Sequence, residues 1–196
     1  MSYSGKKGKY NVKELVLMAL FASLTGILSF IVIPLPFSPV PVTAQTISPM
    51  LAGVLLGPKK GAMSQVVYIL TGVIGIPIFA GGRSGPGALF GESGGYLVGF
   101  VVGCYVIGLL YEVLSKRYKR VISSTVSVIV GGVVVVYFFG AFWMMFVLQL
   151  GLAEVIMVGV VPYLVGDVFK VTGAVVLIET LNALKEKGVI SPNLLL

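Results

Sequence analysis

Stretches of about twenty uncharged, mostly apolar residues recur along the chain, separated by short segments in which prolines, glycines or basic residues interrupt them. A helix that crosses a bilayer needs roughly 20 apolar residues, so each uninterrupted stretch predicts one crossing. Leu15 to Ile33 is the first. The sequence PLPFSPVPVTAQTISP then occupies residues 34–49 with five prolines. Each proline removes a backbone donor and restricts the residue before it, which predicts a loop or re-entrant segment rather than helix. A shorter apolar stretch, Ser48 to Gly57, ends at Gly57-Pro58-Lys59-Lys60, a helix stop with charge on it. Gly61 to Phe79 is the third span, the glycine-rich Ala80 to Gly91 a second loop, and Ser93 to Tyr111 the fourth span.

From Val121 to Ala153 the chain carries no charge, too long a run for one straight crossing. The pattern divides into a fifth span, Val121 to about Phe139, and an interfacial helix and turn, Phe142 to Val158, holding Trp143, Gln149 and Glu154. Trp is expected at headgroup level. A sixth span begins near Pro162, which a first helical turn tolerates, and ends before Lys185 and Lys187. The expected fold is all-α: six transmembrane helices in one domain, residues 1–196, with a proline-rich first external loop and an interfacial segment between helices 5 and 6.

Composition places this fold in a membrane. Apolar residues make up 57% of the chain, charged residues 11%, and the mean hydropathy is +1.05. A soluble domain carries about 25% charged residues. Of the 14 Lys and Arg residues, Lys6, Lys7, Lys9, Lys13, Lys59, Lys60, Lys116, Arg117, Lys119, Arg120, Lys185 and Lys187 fall on one face of the six-span topology. By the positive-inside rule that face is the cytoplasm, and both termini share it. A five- or seven-span topology would scatter these residues over both sides. Residues 1–13 then form a basic cytoplasmic segment ahead of a retained first helix, since the hydrophobic run behind them is longer than a signal h-region and lacks an A-x-A-like exit. The basic excess serves orientation and contact with anionic lipid in a cell membrane, not nucleic-acid binding. One Cys and no His exclude a disulfide framework and any His/Cys metal, haem or iron–sulfur site. No metal or cofactor is expected.

Two ionisable residues fall deep inside the sixth span, while Glu179, also in it, lies close enough to the cytoplasmic end to reach the interface. Asp167 and Lys170 are three apart, so they share a helix face and can pair while still offering atoms to a ligand. Ionisable groups at membrane depth are expensive and usually face a partner, a cavity or a pathway. A second reading has Asp167 only capping the helix and Lys170 only neutralising it. Arg83, the sole basic residue expected outside, sits in AGGRSGPGALFGESGG, where it either clamps a carboxylate bidentately or merely solvates the loop. Tyr96, after Gly94 and Gly95, offers an O–H and an aromatic face, or serves as an interfacial anchor. Thr43, Gln45 and Thr46 supply uncharged donors and acceptors in a loop that prolines stiffen. On the first helix, Ala19 with Ser23 and Ala22 with Gly26 let another helix approach closely, as a docking face for a partner or in internal packing.

Absent motifs narrow the class. There is no G-x-x-x-x-G-K-[ST] phosphate loop, no G-x-S-x-G elbow, and without His no Ser-His-Asp arrangement. The seven carboxylates are spread over separate segments. The chain reads as a non-enzyme that does not hydrolyse ATP, so uphill transport would need an ion gradient or another subunit.

The segments PVPVTAQTISPMLAGVLLGPKKGAMSQVVYILTGVIGIPIFAGG, GESGGYLVGF and VPYLVGDVFK resemble the BioY family, the biotin-specific S components of energy-coupling factor (ECF) transporters, over essentially the whole chain. The resemblance implies a six-helix component that holds biotin near the outer face of the cell membrane and associates with a transmembrane coupling subunit and two cytoplasmic ATPases. It implies ligand-binding roles for Asp167 and Lys170, matching the family's G-D-x-x-K segment, and for Tyr96, matching G-G-Y. It also implies docking through an A-x-x-x-A face, which here reads Ala19 to Ser23. Biotin suits these residues: Asp167 and Lys170 for the ureido ring, Tyr96, Phe79 and prolines for the apolar parts, Arg83 for the carboxylate. Alternatives are an S component for another vitamin and a solitary ion-coupled carrier.

Overall fold

The first helix begins where the sequence supplies a cap. In the computed structural model, which describes residues 11–189, the Asn11 side chain accepts from the Glu14 amide at 2.9 Å and the Glu14 carboxylate accepts from the Asn11 amide at 2.9 Å. This reciprocal box starts α1, Val12–Leu28. Lys6, Lys7 and Lys9 lie outside the described residues. Beyond α1, the first proline-rich segment forms a two-stranded antiparallel hairpin, β1 (Val32–Ile33) with β2 (Val42–Thr43), pairing Val32 with Thr43 and Ile33 with Val42. Four of the five prolines lie in the connection between the strands, where no ladder donor is needed. The fifth, Pro49, lies in the first turn of the next helix.

That helix, α2 (Ile47–Val73), contains the expected stop as an internal break. Gly57 has φ +75° and ψ 176°, a conformation that glycine alone adopts freely, and Pro58 restarts the helix. A 3₁₀ turn at Ala80–Gly82 and the short α3 (Pro86–Phe90) lead to α4 (Gly94–Leu114). α2 and α4 pack very closely: a Cβ on Gly53 would lie 2.7 Å from Ile107 Cβ, so small residues on α2 set the spacing. Around this contact Met50, Leu55, Cys104, Ile107, Val128, Ala174 and Ile178 form one buried cluster.

The expected break near Phe139 is absent. α5 (Arg120–Ile129) continues through a π turn at Val130–Val135 into α6 (Val136–Leu148), a run of 29 residues and about 43 Å at 1.5 Å per residue. No proline interrupts the run, and Gly131 and Gly132, packed against α4 and α2, are absorbed into the π turn. The helix ends at Gln149, which is left-handed with φ 54°. Trp143 is therefore a helical residue, and only α7 (Leu152–Gly159) remains of the separate segment expected between the last two spans. α8 (Val161–Glu186) closes the fold with Pro162 in its first turn.

Gly94–Leu114, Arg120–Leu148 and Val161–Glu186 are long and apolar enough to cross a membrane. At the end carrying Arg120, that residue bonds Glu179 at 3.1 Å and Glu186 at 2.7 Å, while Ser124 donates to Glu179 at 2.9 Å, tying α5 to α8. Lys60 pairs with Glu14 at 2.8 Å and ties α1 to α2.

Candidate functional site

Asp167 lies well inside α8, and its side chain is only 8% exposed. A carboxylate buried that far needs partners. Lys170, one turn on, meets Oδ1 at 2.8 Å, and the Tyr137 hydroxyl donates to Oδ2 from α6. The π turn immediately before α6 sets the register that carries Tyr137 there, in keeping with the tendency of such turns to sit at functional places. Each carboxylate oxygen still has a lone pair for a guest, and the ammonium has donors to spare.

These three side chains line a cavity walled by the β hairpin (Val40, Pro41, Thr43), the start of α2 (Gln45, Thr46), the loop after it (Phe79, Ala80), α4 (Ser93, Tyr96, Leu97, Phe100) and the π turn (Gly132, Val136). It encloses about 630 Å³ counting its open mouth, little of it wide enough for a water molecule. The cavity is a narrow slot. Thr46 adds a buried hydroxyl that, among the described residues, has no hydrogen-bond partner. One wall is strapped from α8: the Tyr163 hydroxyl contacts Ser38 Oγ at 2.7 Å and donates to the Val40 carbonyl.

Tyr96 is fixed by a hydrogen bond of 2.7 Å to the Gly159 carbonyl and stands edge-on to Tyr137, ring centroids 6.4 Å apart. Gly140 leaves the space its ring occupies. Phe79 is held likewise, its ring lying over Gly72 and edge-on to Tyr68. The slot therefore joins a charged pair and phenols on one side to aromatic and aliphatic walls on the other, the pattern of a pocket for a small, mostly apolar molecule with a polar head.

Of the residues singled out in the sequence, Asp167, Lys170, Tyr96, Gln45, Thr43 and Phe79 come together in this slot. Arg83 does not line it. The guanidinium binds Glu92 at 2.6 Å and Ser93 at 3.2 Å, beside a shallow depression that shares Pro41 and Ala80 with the slot. Burial pushes the Glu92 carboxyl up, but its backbone hydrogen bond and the Arg83 guanidinium outweigh this and hold it below the usual carboxylate range. A lowered folded value means that the bridge contributes stability above the ordinary carboxylate pKa and loses it as pH falls through the folded one. Ala19, Ala22, Ser23 and Gly26 line a separate groove between α1 and α2 with Val67, Tyr68 and Ile78. Ala22 and Gly26 are buried at its floor, and Ala19 and Ser23 are exposed.

Tyr137, Tyr163 and Tyr68 were not singled out by the sequence. Tyr137 carried one signal, as the lone polar side chain between Val128 and Phe142. The other two had none, because their role depends on partners distant in the chain.

A family model described as the BioY family matches residues 4–187. A protein of Rhizobium etli named biotin transporter BioY is 37% identical over 172 residues, covering 85% of this chain and 91% of that one. A probable biotin transporter BioY of Pyrococcus horikoshii is 34% identical, covering 87% and 96%. The crystal structure of the S-component for biotin from an ECF-type ABC transporter superposes with a TM-score of 0.81 at 32% identity, covering 88% of this chain and 92% of that one.

Proposed function

Since the chain belongs to the BioY family, we propose that it is the membrane-embedded substrate-binding component for biotin of an ECF-type importer. It is a transporter subunit and not an enzyme. The observation that carries the reading is the buried Asp167–Lys170 pair, braced by Tyr137, facing a slot whose other walls are aromatic and aliphatic.

Biotin has a flat bicyclic head, with two ureido N–H donors and one ureido carbonyl, and an aliphatic tail ending in a carboxylate. Asp167 supplies an acceptor for an N–H, and Lys170 a donor for the ureido oxygen. Tyr96, Phe79, Phe100 and Leu97 surround the thiophane ring and tail. Calorimetry of the purified chain against a panel of vitamins tests the assignment. Saturable biotin binding with none of the others supports it; binding of a different vitamin, or of none, overturns it.

The tail carboxylate is assigned to Arg83, which lines the neighbouring depression and receives it by exchanging Glu92. Arg83→Gln is then expected to weaken biotin roughly ten- to a hundredfold, the usual size of one hydrogen bond to a charged group. Affinity for biotin methyl ester should stay unchanged. Equal losses for acid and ester would remove Arg83 from this role.

The topology proposed for this function has six spans, with both termini and the basic clusters in the cytoplasm. Energy comes from an ECF coupling subunit and two ATPase subunits, since this chain carries no phosphate loop. The groove along Ala19, Ala22, Ser23 and Gly26 is the proposed seat of the coupling subunit, supported by its shallow small-residue floor.

A further inference from the structure

We infer that Tyr68 is a positioning residue that decides which end of the Gln45 amide faces the ligand slot, and so makes that part of the wall a hydrogen-bond acceptor. The inference rests on the biotin reading for the identity of the guest, and deepens it by assigning the polarity of a wall that could offer either kind of group.

A glutamine amide presents an oxygen that only accepts and a nitrogen that only donates, in nearly the same shape. Half a turn about its last bond reverses what a ligand meets. Two contacts forbid that turn here, and a third, from a hydroxyl that could donate or accept, is satisfied by the same orientation. The Tyr68 hydroxyl lies 3.0 Å from the Ile78 carbonyl oxygen, which can only accept, so the single phenolic proton is committed to it. The phenol oxygen is then left to accept, and the Gln45 atom 2.6 Å away has to be the donating Nε2. At the other end of the amide, Oε1 accepts from Thr43 Oγ1 at 3.1 Å. Gln45 and Thr43 both line the slot. An sp² oxygen has two lone pairs, so after Thr43 one remains for a ligand N–H.

Tyr68 is well placed to enforce this choice because it does not itself line the slot. The side chain is fully buried, and its ring stands edge-on to Phe79, with centroids 5.6 Å apart and planes at 83°. One buried ring thus backs two pieces of the wall, the polar Gln45 and the apolar Phe79. With the Gln45 oxygen on one wall and the Asp167 carboxylate on another, the slot offers separate acceptors to the two ureido N–H groups. A guest lacking either donor leaves a buried acceptor unpaired, which costs more than the bond itself contributes.

The test measures affinities of the purified full-length chain for biotin and for its two mono-N-methyl ureido isomers by calorimetry. The parent chain should discriminate against both isomers. Tyr68→Phe keeps the ring and frees the amide to turn. It should reduce discrimination against one isomer about tenfold while leaving discrimination against the other intact, because only one N–H meets Gln45. A merely structural role for Tyr68 would weaken all three ligands alike, and that result, or two unchanged ratios in folded protein, overturns the inference. Should Tyr68→Phe fail to fold, Gln45→Leu removes the acceptor while leaving the tyrosine in place. The same selective change supports the inference, and two unchanged ratios overturn it. Failure of the parent chain to bind biotin at all is seen before any variant is compared; it overturns the functional reading and, with it, this assignment.

Discussion

Purified protein carrying Asp167→Asn is expected to bind labelled biotin about two to three orders of magnitude more weakly than the parent chain. The size follows from what the slot loses. Asn keeps the outline of Asp but replaces one acceptor oxygen by a donating amide, so a ureido N–H that met a carboxylate meets either a weaker acceptor or another donor. Hydrogen bonds to charged groups contribute roughly 1.5–3 kcal/mol, and removing one partner of a buried pair strands the other charge at about 3–5 kcal/mol. Lys170, whose side chain is only 12% exposed, becomes that stranded charge. Part of the cost falls on the free protein and part on the complex, which places the loss in binding at about 3–4 kcal/mol, with 1.4 kcal/mol per tenfold. Equilibrium binding in detergent gives the answer directly. Wild-type affinity in the variant would mean that the carboxylate does not meet the ligand and would take the central residue out of the proposed site.

Lys170→Met has the second large effect, and it separates stability from recognition. Losing the ammonium leaves Asp167 with the Tyr137 hydroxyl alone, a buried carboxylate whose countercharge is gone. Removal of one member of a buried ion pair costs about 3–5 kcal/mol, so the single variant should unfold at visibly lower temperature and lose biotin binding. The double variant Asp167→Asn with Lys170→Met removes both charges together. Apolar or neutral replacement of a whole buried pair is often neutral for stability, so thermal stability should return to near the parent value while biotin binding stays lost. Thermal unfolding and calorimetry on the same three preparations distinguish the outcomes. If the double variant regained binding along with stability, the pair would serve folding only. If it regained neither, the charges would be integral to the helix packing around α8.

The elements that read most clearly in the sequence are those whose cause is local. Pro34 to Pro49 excluded helix, and the chain places a hairpin there, although the helix behind it starts two residues before Pro49. The stop at Gly57-Pro58 is present as the φ +75° break inside α2. The region around Phe139 was less legible. A charge-free run has no punctuation, and whether Gly131 and Gly132 end a helix or enter a π turn depends on the neighbours they pack against: Gly103 and Ile107 of α4 crowd Gly131, and Met50 of α2 crowds Gly132. The site shows the same division. Asp167 and Lys170 stand out because charge in an apolar helix is costly wherever the helix goes. Arg83 stood out by scarcity alone, yet Glu92, nine residues on, holds its guanidinium.

By itself the sequence determined that the chain is helical and membrane-embedded, because twenty-residue apolar runs and an 11% charge content leave few other solvents for it. It also determined which pair of ionisable residues had to find partners and, through its motifs, the family to which those residues belong. Only the tertiary structure decided what those partners are. Tyr137 reaches Asp167 across 30 residues of sequence, Tyr163 ties down a hairpin 123 residues before it, and Tyr68 governs the amide of Gln45 on the far side of a helix break. A tyrosine in an apolar run has the same local pattern whether its hydroxyl meets lipid headgroups or a buried carboxylate. Its role is set by which helix face packs against it, and that is a property of the assembled bundle.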